Sequence, residues 1–474
     1  MVFGVSHESN VHQKGIDIPN PHYPLSPEGA PSSPIPNPHY PLSPEGAPSS
    51  PIPNPHSPIL DIDSLLQSFQ HFGINLGLSR IVKLLDKLGN PHQQVPVIHV
   101  AGTNGKGSVC AYLSSVLTQA GYRTGLYTSP HLVDWTERIS VNQQPIASEE
   151  LYKLLQKVKD ANAPDEESPT QFEVITAAAW LYFAQQQVDI AVVEVGLGGR
   201  LDATNVCSQP LVTVITSISR EHWQQLGPTV AHIAGEKAGI LKPGCPAVVG
   251  PLPKEAEAVV RSRIQELECP IFTPQPARSV SSGWAEYQTL DGKLIQYPLA
   301  LQGQIQLTNS ALALAAIEIL QKQDWHISQT AIINGMANTK WPGRIQWVTW
   351  KKHKLLLDGA HNPAGAQVLR DYVDTLANPK ITWVMGMMAN KDHADIFQAL
   401  LREGDKLCLV PIPDTSSAIP DDLAKLAAEI CPGLSFCQSY PDLTSALEAA
   451  FASPEDLVVL CGSLYLIGHF LSIK

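Results

Sequence analysis

From about Leu60 onward, apolar residues follow two alternating patterns: short runs with almost no polar interruption, and longer stretches in which they recur every third or fourth position. Runs within 98–101, 123–131, 188–195 and 211–218 predict strands buried on both faces, as in a parallel sheet. The helical spacing predicts helices over 62–72, 78–89, 148–160, 172–186 and 309–336. The last pattern ends at Asn338-Thr339-Lys340-Trp341-Pro342-Gly343, a Pro-Gly break. Beyond it, strands are expected at 345–350, 354–357, 381–386, 406–410 and 457–461, interleaved with helices over 363–376, 392–403, 420–430 and 442–452. Such alternation gives an α/β fold with a mostly parallel sheet, whose ligands gather at the carboxyl ends of the strands. The resulting organisation is a large α/β domain over 60–337, a hinge over 338–343 and a smaller α/β domain over 344–474.

The first 59 residues follow neither pattern. Residues 18–34 recur identically at 35–51 and begin a third time at 52–56, and 15 of the 40 prolines lie before residue 59. Such a segment cannot bury enough apolar surface to offset the entropy of ordering it, so 1–59 is expected to be a disordered Pro-rich tail. Duplication accounts for the repeated His22, His39 and His56 more simply than metal binding does.

A net charge of -12 without any basic run excludes broad electrostatic binding of nucleic acid. The eight cysteines are scattered, without zinc spacing, and read as reduced core thiols. No apolar stretch is long enough to span a bilayer and no signal-peptide pattern opens the chain, so a cytoplasmic, monomeric protein without membrane contact is expected.

The chemistry begins where the run at 98–101 meets Gly102-Thr103-Asn104-Gly105-Lys106-Gly107-Ser108, with a helical pattern following from Val109. Gly102 and Gly105 let the backbone curl so that its amides point inward at phosphate oxygens, and Lys106 adds a charge for the outer phosphates. This is a phosphate loop, and its ligand is expected to be ATP. The spacing departs from GxxxxGK[ST]: Val100 stands at the first glycine, and Gly107 stands where a Mg²⁺-binding hydroxyl would follow the lysine. A Mg²⁺ ion must then find its ligands on other strand ends. Glu194 ends a buried run before the turn Val195-Gly196-Leu197-Gly198-Gly199-Arg200, Ser129 follows the 123–128 strand, and His222 follows the 211–218 strand. Asp358 and His361 end a strand of the second domain in a polar turn and face the same cleft.

Taken together, these motifs resemble the folylpolyglutamate synthase and dihydrofolate synthase family of Mur-type ATP-dependent ligases. The likeness covers about residues 60–474 and rests on the loop at 102–108, Thr128-Ser129-Pro130-His131, Phe172-Glu173-Val174-Ile175-Thr176, the run 194–205, Glu236-Lys237-Ala238-Gly239-Ile240 and Asp358-Gly359-Ala360-His361-Asn362. The resemblance implies a P-loop ATPase-type domain followed by a Rossmann-like C-terminal domain. It also implies that Ser129, Glu194 and His222 hold one Mg²⁺ and that Lys237 is carbamylated and helps hold a second. By the same likeness Asn309 and Arg344 approach the ATP phosphates, and Asp358 and His361 hold the nucleotide from the second domain. Lys106, Glu194, His222 and Lys237 are thus the expected catalytic group. Two positions depart from the family: Glu221 replaces an Asp before the metal histidine, and Gln304-Ile305-Gln306 replaces a His-Gln pair.

The implied reaction joins L-glutamate to dihydropteroate or a reduced folate through an acyl phosphate. A Mur-type ligase acting on another acid and amine, a P-loop phosphotransferase and a non-catalytic ATP-binding scaffold remain as alternatives.

Overall fold

A strand buried along its whole length needs cover on both faces. Val97–Ala101 and Ile190–Glu194 at the centre of one sheet, and Ile381–Met385 and Leu457–Cys461 at the centre of another, are buried in this way. The computed structural model describes residues 61–474 apart from 68, 70–74, 163–166, 378–379 and 454–455. The Pro-rich tail lies outside the described residues, as does most of the helix expected beyond Gln67.

The first sheet contains β1 (Val97–Ala101), β2 (Thr124–Tyr127), β3 (Ile139–Val141), β4 (Gln144–Pro145), β5 (Ile190–Glu194), β6 (Val212–Ile215), β7 (Ala247–Val249) and β8 (Ile271–Phe272). Their order is β4-β3-β2-β5-β1-β6-β7-β8, parallel except at β3 and β4. Helices Lys106–Gln119, Ile305–Lys322 and Gln329–Asn338 cover one face. Helices Ile62–Gln67, Ser79–Lys87, Ser148–Ala161 and Gln171–Gln185 cover the other. Register then fixes the site, because Val100 pairs with Glu194 on one side and Ala101 with Ile215 on the other. Glu194, the loop after Ala101 and the turn after Ile215 therefore share one sheet edge.

Three differences from the sequence reading have physical causes. The 309–336 helix is two helices, broken where Asp324 takes φ +67° and Trp325 packs on Tyr122 at 4.9 Å; Ser328 then caps the second through the Ala331 N–H. The loop helix starts at Lys106 rather than Val109, because Gly105 at φ +88° turns the chain directly into it. An unexpected antiparallel sheet, β9 (Arg278–Ser281), β10 (Trp284–Gln288) and β11 (Leu294–Pro298), buries Ala285, Tyr287 and Tyr297 against Ile305–Lys322. The hydroxyls of Tyr287 and Tyr297 bond Glu318 and Ser310, each at 2.7 Å, so both rings are buried with their polar ends satisfied.

The second large sheet contains β12 (Gln346–Trp350), β13 (His353–Leu357), β14 (Ile381–Met385), β15 (Lys406–Leu409), β16 (Phe436–Ser439) and β17 (Leu457–Cys461), ordered β12-β13-β17-β14-β15-β16. Only β12 runs antiparallel. Its last helix, Leu464–Ile473, presses Gly468 onto the loop that follows β2: a Cβ at Gly468 would lie 1.8 Å from the Leu132 carbonyl oxygen. That contact ties the second sheet to the segment carrying Ser129. Gly468→Ala should therefore destabilise the protein by about 1–3 kcal/mol through overpacking. Gly235→Ala, with open space around its Cβ within a helix, should stabilise it by about 0.5–1 kcal/mol. Urea unfolding of both variants checks the pair.

Candidate active site

The loop after β1 is held by hydroxyls, two of them from the turn after β6 and one, that of Thr103, its own. Thr216 donates to the Asn104 carbonyl at 2.7 Å and Ser217 to the same oxygen at 3.0 Å, while the Thr103 N–H donates to the Ser217 carbonyl at 2.7 Å. Both glycines are required by close approach as well as by dihedral angle. A Cβ at Gly102 would sit 1.9 Å from Thr216 Oγ1, and one at Gly105 would sit 2.6 Å from Asn309 Oδ1. The first-turn amides of helix Lys106–Gln119 have no intrahelical acceptor and open onto this turn. Lys106 Nζ folds back onto the Thr103 carbonyl at 3.1 Å and has no carboxylate within ion-pair distance among the described residues.

Gly107 has a structural explanation that the sequence did not supply. The Trp341 indole lies over it, so a Cβ there would come within 2.4 Å of Cζ2. The side chain that would carry the usual metal hydroxyl has no room. The departure at Gln304-Ile305-Gln306 is also accounted for: Gln306 donates to Ser108 Oγ at 3.4 Å and accepts from Asn309 Nδ2 at 3.1 Å, linking the loop helix to Asn309.

Beside the loop, Glu194 is buried and accepts the Ser129 N–H at 3.2 Å. Burial raises its pKa, opposed by Lys106, the Ser129 amide and Arg344. The turn behind it is fixed by Asp202, which accepts the N–H of Leu197 at 2.8 Å and both the N–H and hydroxyl of Thr204. Thr204 in turn bonds His99 at 2.9 Å under the sheet. Asn205 ties this turn to the next helix by donating to the carbonyls of Arg200 and Gly239 at 3.0 and 3.1 Å. That helix, Val230–Ala238, carries Lys237. Its buried Nζ donates to the Gly102 carbonyl at 2.7 Å, and burial followed by Lys106 lowers its pKa to about 7. Lys237 thus meets the phosphate loop from beneath, largely stripped of the hydration that would keep it charged.

His222 takes left-handed backbone angles, φ +51°, at the start of the short helix Trp223–Leu226. Burial, aided by Lys391, Lys106 and Lys237 against Glu221, lowers its pKa to about 4, so the imidazole is neutral at pH 7. Lys106 is the shared neighbour of Glu194, His222 and Lys237. Among the described residues, no group of three or more His, Cys, Asp or Glu side chains is placed to hold a metal by itself.

The second sheet closes over this edge. Asn362 and Asn104 exchange amide hydrogen bonds at 3.0 and 3.2 Å. Glu221 receives His361 Nε2 at 3.0 Å and Lys391 Nζ at 3.2 Å. Burial pushes the Glu221 carboxyl up, but His361, Lys391 and His222 outweigh it and hold it well below the ordinary carboxylate range. The longer Glu at 221 thus anchors the opposing sheet. Asp358 accepts the N–H groups of Ile345 at 2.9 Å and Ala360 at 2.8 Å; burial raises its pKa, opposed chiefly by Arg344, which donates to the Gly343 carbonyl at 3.0 Å. Between His222 and His361 only a crevice of about 20 Å³ remains. Thr216, Ser217, Trp341, Asn362 and Lys391 were not singled out from the sequence. Position after β6 was a signal for the first two; Trp341 reaches Gly107 only through tertiary packing.

A gripped glycine-rich loop whose lysine has no carboxylate partner, a buried carboxylate on the neighbouring strand and a second α/β sheet closing the edge are the arrangement of a two-part nucleotide-dependent ligase of Mur type. Residues 100–317 match the Mur ligase middle domain, and residues 344–473 match the dihydrofolate synthetase C-terminal domain. The Bacillus subtilis dihydrofolate synthase/folylpolyglutamate synthase is 36% identical over 84% of this chain and 94% of its own length. The Saccharomyces cerevisiae dihydrofolate synthetase is 35% identical over 84% and 98%. Among solved structures, Escherichia coli FolC in complex with DHPP and ADP superposes with a TM-score of 0.75 at 32% identity, covering 86% of this chain and 96% of that one. Mycobacterium tuberculosis folylpolyglutamate synthase, complexed with ADP and AMPPCP, gives 0.78 at 30% identity over 87% and 97%. The chain belongs to the dihydrofolate synthase/folylpolyglutamate synthase family.

Gly107→Ser places a hydroxyl in the usual position, but the Trp341 contact forbids the conventional arrangement. We expect kcat to fall at least about tenfold, with a shift in tryptophan emission, and partial recovery when Trp341→Ala is added. Steady-state kinetics and fluorescence of the single and double variants check this.

Proposed function

We propose that this protein uses ATP to form the amide bond between L-glutamate and a carboxylate of dihydropteroate, a reduced folate, or both. The observation that carries the reading is the pairing of a loop lysine that has no ion-pair partner with Glu194, a buried carboxylate that has none either, among the described residues. A site that keeps both groups out of direct ion pairs suits a phosphate and a divalent cation arriving together.

Carboxylate and amine do not condense in water, so the acid must first be activated. An oxygen of the acceptor carboxylate attacks the γ-phosphorus, the bond to the bridging oxygen breaks and ADP leaves. The deprotonated amine of glutamate then attacks the acyl carbon, and the C–O bond to phosphate breaks. Lys106 and the first-turn amides offset charge on the transferring group, while Asn309 and Arg344 position the phosphates. Asp358 and His361 hold the nucleotide from the second sheet. Mg²⁺ prefers oxygen ligands and leans on one or two carboxylates plus phosphate oxygens, a demand that Glu194 and the Ser129 hydroxyl fit, with neutral His222 sharing Lys106 as a neighbour with Glu194. When bound, it supplies charge neutralisation at the phosphoryl group. Lys237, whose pKa near 7 leaves much of its amine neutral, can add CO₂ to become a carbamate and thereby give a second ion an anionic ligand. Asn104–Asn362 and Glu221–His361 join two polar surfaces around a small crevice, and bending at 338–343 would part them to admit nucleotide and close them against water.

The relatives' names support the substrates: the Escherichia coli structure holds DHPP and ADP, and another solved relative is an FPGS-AMPPCP-folate complex. The deciding experiment supplies Mg-ATP and labelled glutamate with dihydropteroate or tetrahydrofolate separately and weighs the products. A glutamyl adduct with either acceptor, dependent on ATP, is expected; ATP turnover indifferent to glutamate contradicts the reading.

Two further outcomes follow from the ligand set. Glu194→Gln should raise the Mg²⁺ concentration for half-maximal activity more than His222→Ala, and His222→Ala more than Ser129→Ala, because a carboxylate is the strongest Mg²⁺ partner of the three. Equal midpoints for wild type and Glu194→Gln would place the metal elsewhere. Incubated with ¹³C-bicarbonate, the wild-type protein should show a carbamate carbon resonance that grows as pH rises through about 7, where the Lys237 amine becomes neutral. Lys237→Arg should show none; an identical resonance in that variant contradicts the assignment.

A further inference from the structure

Arg138 stands immediately before β3, where its carbonyl accepts the Thr128 N–H at 3.0 Å and its neighbour Ile139 pairs with Tyr127. It therefore lies at the carboxyl end of β2, the same sheet edge that presents Ser129 and Glu194. Arg138 is half-buried and its guanidinium is tightly oriented: Nε donates to His131 Nδ1 at 2.9 Å, and the Trp135 ring lies 4.4 Å from the guanidinium carbon. Among the described residues, no carboxylate lies within ion-pair distance of it, and its two η nitrogens have no hydrogen-bond partner. Glu194 and Glu137 act on it through space without touching it. Glu137 spends both oxygens on backbone amides, accepting from Leu132 and Val133 at 2.8 Å and from Asp134 at 2.9 Å.

A half-buried guanidinium with no carboxylate in contact keeps donors unused, and one oriented this firmly is placed to receive an anion. With Nε fixed by His131 and one face stacked on Trp135, the free η edge is a planar fork, the geometry that receives a carboxylate through two parallel hydrogen bonds. The other cations at this edge have different surroundings: Lys106 bends over the phosphate loop, Lys237 bonds Gly102, Arg344 faces Asp358, and Lys391 is bound to Glu221. Arg138 lies on the far side of Glu194 from the β6 turn, beyond β5, and has the Tyr465 ring of the second sheet's last helix as a neighbour.

We propose that Arg138 binds a substrate carboxylate during amide formation, an inference that rests on the ligase reading above. The carboxylate belongs either to the acceptor acid or to the incoming glutamate, and both sources present the same chemistry to the guanidinium.

The test compares Arg138→Gln and Arg138→Lys with wild type in the full chain, measuring KM separately for ATP, glutamate and the pterin acceptor. Arg138→Gln should raise the KM of one carboxylate substrate at least tenfold and leave the ATP value within twofold; the substrate affected names the source. Arg138→Lys, which keeps the charge but loses the fork, should recover part of the loss. A measurement on unmodified protein removes dependence on the variants' folding. Phenylglyoxal labelling of Arg138, read by peptide mass, should be blocked by saturating glutamate or acceptor and unaffected by ATP alone. Unchanged KM values for both carboxylate substrates, an equal rise for ATP, or labelling that neither substrate blocks overturns the proposal. Absence of glutamate-dependent turnover in wild type instead overturns the ligase reading itself.

Discussion

A loop shaped to receive phosphate through its backbone amides must have those amides held inward by its surroundings. Here the hold comes from β6: Thr216 and Ser217 both donate to the Asn104 carbonyl, and Thr103 bonds the same turn through its amide and hydroxyl. Each bond fastens the turn after β1 to the turn after β6, and the pairing of Ala101 with Ile215 sets their register. The other groups are arranged around that fixed point. Lys237 bonds the Gly102 carbonyl from below, Asn309 fits against Gly105, Trp341 covers Gly107, and Asn362 approaches Asn104 from the second sheet. Four separate segments thus depend on one gripped turn.

Electrostatics is the second organising feature. Protein interiors normally pair their charges, because an isolated buried ion loses hydration that nothing repays. This edge keeps Lys106, Glu194 and Arg138 unpaired, and drives Lys237 and His222 toward their neutral forms. Glu221 is the exception, spent on His361 and Lys391 to join the two sheets. The unpaired groups sit where substrates and metal would bring opposite charge, which makes the site a set of half-finished interactions. Stability given up locally in this way is a common property of sites that bind charged groups.

How far the sequence revealed this depended on whether the signal was local. The strands around 98–101, 190–194 and 212–215 were legible because burial on both faces leaves a run with almost no polar interruption, and the phosphate loop because glycine, lysine and a following helix are adjacent in the chain. The split in the 309–336 helix was hidden, since the break depends on Trp325 finding Tyr122 some two hundred residues away. The sheet of β9, β10 and β11 escaped because its burial is confined to a few alternate positions on short strands. In the site, Gly107 was recognised as a departure, but its cause, the Trp341 ring, is a contact across 234 positions that no spacing rule encodes. Arg138 gave no signal, because its distinction, a firmly oriented guanidinium without an ion pair, exists only in three dimensions.

The central claim is that this edge holds an acid while its oxygen takes a phosphoryl group from ATP. The most direct measurement labels both oxygens of the acceptor's reacting carboxylate with ¹⁸O and follows them through one turnover with glutamate and ATP. The account predicts one ¹⁸O in each inorganic phosphate released and the other in the new amide. Unlabelled phosphate, with amide formed in normal yield, would contradict it.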